Sequence, residues 1–439
     1  MKGLRKKLRD PRLAVWLLIA LAAVSVAMAC CGAERSLAWM RQPVAQGVTA
    51  LLAAASFLAC VWTWRRPAAW LFHAGFALVL GGWLYQAWTG PEDGYLQLHN
   101  GRAGAVADDF VFHLDRFEID RWPDTGTVRQ YTSYGRVEGE ERVIAVNRPL
   151  VKNGWWVYQS SYQEMRHPHT GEPFYFTILM CVKDVGLPAV MLGGLFILLG
   201  ALWYAAERAG LGGAWRRLHG PVKATGPVYA ARLPVWLYGV TFLLLVAMLV
   251  HRGCSTGHPP MQNLYEFLMC AAVALPGLTF LSAKRDRQNT LLTDAFLLAL
   301  VMIPVGFVMD GDVKRLMPAL QSPLFVPHVG SYVLGYVLLV RAALGAGRRL
   351  AGVGFFLLTT GLVLGAAWGK ICWGHWWQFD PKEMWSLATW CVYAAYFHVR
   401  TRLSTRGERL FLLAGAAMIV LTLTWINLSR IFTGMHSYA

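Results

Sequence analysis

No pair among the eight cysteines of this 439-residue chain is spaced C-x-x-C, and none begins a C-x-x-C-H run. That absence excludes a dithiol redox pair and a covalent haem attachment site within the chain, and leaves isolated cysteines to act as small core side chains. Acidic residues are scarce as well, 25 against 41 lysines and arginines, for a net charge of +16. The positive residues gather in short links between apolar runs, where orientation in a membrane accounts for them, so the charge does not imply nucleic acid. Long polar stretches are almost missing; only residues 90–186 form a sizeable polar insertion. What fills the remainder is apolar: 56% of the residues are hydrophobic and the mean hydropathy is +0.39. These features describe a polytopic membrane protein.

Eleven apolar runs, at about 13–29, 44–64, 68–88, 187–205, 233–250, 264–281, 291–309, 325–340, 350–366, 385–399 and 410–428, read as membrane-spanning helices. The first has a basic start, MKGLRKKLRDPR, and reads as an uncleaved span because further spans follow directly. In the polar insertion, FVFHLDRFEID, VRQYTSYGRV, RVIAVNRPL and WWVYQSSYQ alternate or carry β-branched and aromatic residues between turn signals, which predicts antiparallel strands. The expected fold is thus an all-α polytopic membrane protein of about eleven transmembrane helices with a small external β-rich domain. The expected divisions are 1–89, 90–186, 187–232 and 233–439. With the N-terminus inside, every strongly basic link falls inside except the one holding Lys314 and Arg315. Two readings stand for these cations: partners for acidic ligand groups such as haem propionates, and solvated surface charges.

The stretch WGKICWGHWWQFDPKEMW, from Trp368 to Trp385, lies between two apolar runs and holds five tryptophans: Trp368, Trp373, Trp376, Trp377 and Trp385. An interfacial belt explains one or two such rings. Five of them, with Asp380, Lys382 and Glu383, suit an aromatic platform for a flat amphipathic ligand such as a porphyrin. The assumed orientation sorts four histidines by depth. His73 and His398 fall near the inner ends of the third and tenth spans, and His328 and His436 near outer ends. Paired neutral imidazoles are suitable axial ligands to iron; the plainer alternative for each is an interhelical hydrogen bond or a wetted interface.

On WGHWWQFDPKEMWSLATW, with YAAYFHVR, LQSPLFVPHVGSY and the final GMHSY, the chain resembles the cytochrome c synthases of the fused CcsB–CcsA (ResB–ResC) type used in cytochrome c maturation system II. WLFHAGFALVLGGW ahead of an external domain is more weakly similar to the ResB-like partner. The resemblance implies haem b as a bound substrate and thioether formation between haem vinyl groups and a C-x-x-C-H segment of an exported apocytochrome c. It implies His328 and His436 as external axial ligands and His73 and His398 as ligands within the membrane. It further implies presentation of haem by the tryptophan-rich segment, with Trp373, Trp377, Asp380 and Trp385 matching the family's pattern. The charge alternation of the links puts the N-terminus on the cytoplasmic side and the large loop, tryptophan-rich segment and C-terminus outside, and the expected membrane is the bacterial cytoplasmic one. Phe379 stands where the family usually has tryptophan, which keeps stacking surface and loses an indole N–H. The external domain is short for a ResB-like part. An external thiol-reducing partner is expected, because the chain has no C-x-x-C of its own. A haem transporter without ligation activity and a membrane-bound b-type cytochrome share the spans and histidines and remain as alternatives.

Overall fold

The computed structural model describes residues 11–63, 66–167, 169, 171–209, 235–281, 284–307, 311–312, 314–346 and 348–428. A helix occupies each of the eleven apolar runs: α1 (Pro11–Cys31), α3 (Pro43–Thr63), α4 (Pro67–Thr89), α5 (Leu187–Ala209), α6 (Val235–Thr256), α7 (Leu264–Leu281), α8 (Lys284–Phe307), α9 (Phe325–Arg341), α10 (Arg348–Trp373), α11 (Pro381–Val399) and α12 (Thr405–Leu428). A short helix, α2 (Ala33–Met40), precedes α3 and meets it at 75°. Among the described residues, eight helices are long and apolar enough to cross a membrane, or nine if the bent α2–α3 pair counts as one span. The apolar part of α8, Leu291–Gly306, is shorter. α11 is outside this set because Lys382, Glu383, Ser386, Thr389 and His398 dilute its apolar residues. It is instead lined on most sides by the bundle, where its polar groups find partners.

The polar insertion folds as eight strands. β1 (Gly94–Leu98), β8 (Pro173–Lys183), β7 (Trp155–Arg166) and β6 (Leu150–Lys152) lie side by side in one antiparallel sheet. β2 (Ala103–Val106), β3 (Phe110–Arg121), β4 (Val128–Val137) and β5 (Glu140–Ala145) form the other. Phe110, Phe112 and Leu114 alternate inward along β3, and a register shift after Leu114 brings Phe117 back to the same face. They meet Val157, Leu179 and Cys181 from the opposite sheet, so one apolar core joins both layers as a sandwich. The predicted strand segments are present; β1, β2 and β8 complete the sheets.

α4 and α5, the helices on either side of the insertion, pack along each other. A glycine on each helix makes the approach possible: a Cβ on Gly75 would stand 2.6 Å from the Gly193 carbonyl oxygen, and one on Gly193 would stand 2.7 Å from that of Gly75. Gln86 closes the neck of the insertion, its Nε2 donating to Lys183 O at 3.1 Å and its Oε1 accepting from Val185 N at 2.6 Å. Gly193→Leu is expected to force α4 and α5 apart and destabilise the protein by about 1–3 kcal/mol, read as a lower midpoint of thermal unfolding. An unchanged midpoint would mean that the two helices separate freely.

Candidate functional site

His73 lies near the start of α4 and His398 at the end of α11, both at the end of the bundle away from the sandwich. Their ring centroids are 6.2 Å apart. Two imidazoles on opposite sides of one metal ion, at metal–nitrogen bonds of about 2 Å, place their centroids roughly 6 Å apart. The His398 Nδ1 lies 2.8 Å from Ala394 O, so Nδ1–H donates there and Nε2 carries the lone pair. Next to the two histidines in sequence, Phe72 of α4 and Phe397 of α11 belong to an aromatic cluster with Phe76 of α4, Phe355 of α10 and Trp390 of α11, in which Phe72 and Trp390 lie 13° from parallel. The Arg400 guanidinium, 7% exposed, lies over the rings of Phe397 and Tyr204 at 5.3 and 5.8 Å. A buried cation over aromatic rings, two residues beyond one of the paired imidazoles in the sequence, suits an acidic planar ligand.

His328 lies in the first turn of α9, at the sandwich end. Its Nδ1 is 2.8 Å from Gly361 O, which again directs the Nε2 lone pair elsewhere. Tyr332 and Trp368 hold the ring edge-on, at 5.1 and 5.6 Å between centroids. His436 lies outside the described residues.

The tryptophan-rich stretch is not one surface segment, as its sequence suggested. Trp368–Trp373 continues α10, residues 374–380 turn, and Pro381 begins α11. Nothing in WGKICW stops a helix until Gly374, whose φ of +83° is the left-handed conformation that ends one. DPKE then restarts it: Asp380 accepts from Lys382 N at 2.8 Å, Pro381 fits the first turn, and Glu383 closes a capping box. Asp380 is therefore buried as a helix cap. Phe379, at φ +58°, takes a conformation costly for a bulky side chain and is held by packing with Trp385, Met384 and Met28.

The five tryptophans divide among three neighbourhoods. Trp368 donates to Ala319 O at 3.1 Å and packs with Trp373 and Phe325 on the His328 side. Trp377 and Trp385 face Met28 and Ala29 at the end of α1. Trp376 faces the sandwich, donating to Asp184 Oδ2 at 2.9 Å. Asp184 also pairs with Lys370 at 2.9 Å, and Lys370 lies 5.7 Å over the ring of Trp156. His375 Nε2 is 3.4 Å from Asp93; burial is the main cause that lowers the His375 pKa, opposed by Asp93. Asp93, Trp156, Asp184, Lys370 and His375 carried no sequence signal beyond polarity or bulk, because their partners lie in remote segments.

Arg315 resolves one of the two cations on the disfavoured side. It pairs with Asp124 of the β3–β4 turn at 2.5 Å, donates to Thr256 O at 2.8 Å and lies over Trp122. This contact holds the Asp124 carboxyl below the usual carboxylate range. Asn147 of the sandwich donates to the carbonyls of Pro318, Ala319 and Gln321, so the segment before α9 is docked on the β domain. Lys314 is exposed.

Two family models match separate parts of the chain: Cytochrome C assembly protein over residues 346–436, and the ResB-like family over residues 33–173. The chain is 31% identical to the cytochrome c biogenesis protein CcsA of Chlamydomonas reinhardtii over 244 residues, 47% of this chain and 68% of that protein. It is 29% identical to CcsA of Synechococcus sp. strain WH7803 over 268 residues, 46% of this chain and 83% of that one. For Synechococcus sp. strain RCC307 the identity is 29% over 301 residues, 55% and 94% of the two chains.

Proposed function

Because the chain belongs to the CcsA family of cytochrome c biogenesis proteins, with a ResB-like part ahead of the CcsA-like part, we propose that it is a holocytochrome c synthase that also carries haem b to its site of use. The observation that carries the haem part of this reading is the 6.2 Å separation of His73 and His398, one imidazole from each half, which fits two ligands of one haem iron, while the synthase part rests on the family. Arg400 supplies a cation for a propionate at that end. His328, at the sandwich end, is assigned to a second haem site with His436; Trp368 and Trp373 pack on the His328 side, Trp376, Trp377 and Trp385 contribute from their separate neighbourhoods, and Asp380 acts by capping the helix that carries Trp385. The charge pattern of the links supports a cytoplasmic N-terminus and an external sandwich, tryptophan-rich segment and C-terminus, in a bacterial inner membrane.

The attacking sulfurs belong to the client, an exported apocytochrome c with a C-x-x-C-H segment. Each thiol adds across one vinyl group, the sulfur forming the thioether and its proton ending on the neighbouring carbon, with no net oxidation. Orientation is the main contribution asked of the protein, since fixing two reactants removes much of the entropic barrier. The client's own histidine replaces one external imidazole, and this ligand exchange starts release. A separate reductant keeps the client thiols free. The parts assigned are a ResB-like membrane region at 1–89, an external domain at 90–186, a span and linker at 187–232 and a haem-handling domain at 233–439.

The test is reconstitution of the purified chain with haem, a thiol reductant and a C-x-x-C-H apocytochrome, with mass detection of the haem–peptide adduct. Adduct from the parent, and at least a tenfold lower yield from His328→Ala, is the expected result. Haem bound by both without adduct, under conditions in which the client thiols are reduced, would favour transport or b-type electron transfer instead.

A further inference from the structure

We infer that Asp184 is a positioning residue for the tryptophan-rich turn, binding it to the β-sandwich so that the ResB-like half sets where the CcsA-like half presents its ligand. This rests on the reading that the turn handles haem. Asp184 sits where β8 passes into α5, and its carboxylate serves two residues of the other half at once: Lys370 Nζ at 2.9 Å and the indole N–H of Trp376 at 2.9 Å. The Asp184 and Lys370 side chains are only 8% and 3% exposed. A charge pair so shielded is costly to separate, which makes it a discriminating contact between two surfaces.

Its surroundings are built for one register. Lys370 Nζ also donates to Gly374 O at 3.0 Å, drawing the helix end and the turn together. Gly374 lies directly on the sandwich, where an added Cβ would overlap the end of Met180 and stand 3.2 Å from the ring of Tyr158. The same sandwich holds the segment before the His328 helix through Asn147 and Asp124. One β domain therefore contacts both elements assigned to the ligand, and the Asp184 contact is the one on the tryptophan side.

The experiment uses the full chain in lipid nanodiscs with three variants: Asp184→Asn, Trp376→Phe, and Asp184→Lys combined with Lys370→Asp. Two quantities are read, hydrogen exchange of amides 370–380 and haem–peptide adduct formation. Asp184→Asn is expected to speed exchange in that segment at least tenfold with sandwich amides unchanged, and to lower adduct yield at least fivefold. Trp376→Phe, which removes one donor and leaves no charge unpaired, is expected to do the same about threefold. The charge exchange is expected to restore protection above that of Asp184→Asn. Parental exchange rates in both single variants would overturn the anchor, and faster exchange with parental adduct yield would overturn its positioning role. Absence of adduct from the parent would overturn the synthase reading instead, while the exchange rates would still decide the anchor.

Discussion

His398→Ala is expected to abolish the six-coordinate, low-spin spectrum of haem bound within the membrane part and to lower its affinity by roughly ten- to hundredfold or more. The same result is expected for His73→Ala, because either change would remove one of the two proposed ligands, whose rings stand 6.2 Å apart on different helices. Added imidazole should restore part of the low-spin spectrum in both, since the cavity left by the ring is close to the size of the ring itself. Arg400→Gln should keep the spectrum and lower haem occupancy several-fold, as loss of a charge-assisted contact without loss of a ligand requires. His328→Ala should leave this spectrum unchanged, because its helix end lies at the sandwich side of the bundle. The measurement is absorbance and haem content of the purified chain. A parental spectrum in both His398→Ala and His73→Ala would remove this pair from the ligand set.

Asp294→Leu is expected to destabilise the protein by about 3–5 kcal/mol, because it leaves the Arg341 guanidinium buried without its counter-charge. Arg341 Nη2 donates to Asp294 Oδ2 at 2.8 Å, and the two side chains are 3% and 1% exposed. Thr279 donates to the same oxygen, so one carboxylate joins α7, α8 and α9. Water cannot easily replace it there, since Tyr238, Leu275 and Leu298 fill the apolar core that α6 shares with those helices. Arg341→Met alone should be destabilising for the mirror-image reason. The double variant, Asp294→Leu with Arg341→Met, should recover most of the loss, because replacing both charges by apolar groups removes the desolvation cost along with the attraction. Thermal unfolding in detergent, read as aggregation-free monomer remaining, gives the comparison. If the double variant is no more stable than either single one, the pair's value lies in its geometry rather than in mutual neutralisation.

Much of the fold is legible because helices and strands depend on near neighbours. Apolar runs of about twenty residues mark the spans, and alternation in FVFHLDRFEID marks a strand that the sandwich uses in just that sense. DPKE carries the Asp and Glu spacing of a capping box, so the start of α11 before Trp385 was available to a reader who weighed the cap over the apolar run. The end of α10 was harder. Gly369 and Gly374 look equivalent in the sequence, and only the second has the positive φ and the contact with Met180 that make it a stop.

The sequence by itself determined the membrane class, the positions of the helices, the β character of the insertion and the helix ends at which His73, His328 and His398 lie, since these follow from periodicity and from hydrophobic length. Tertiary structure alone decided the partners. It brought His73 to His398, Asp184 to Lys370 and Trp376, and Arg315 to Asp124, and it divided five neighbouring tryptophans among three surroundings. The physical reason is that burial of apolar surface is non-directional: it states that a helix face must be covered and leaves open by what. Partner choice comes from close packing and from buried charges that tolerate only one arrangement, and both exist only once distant segments have met.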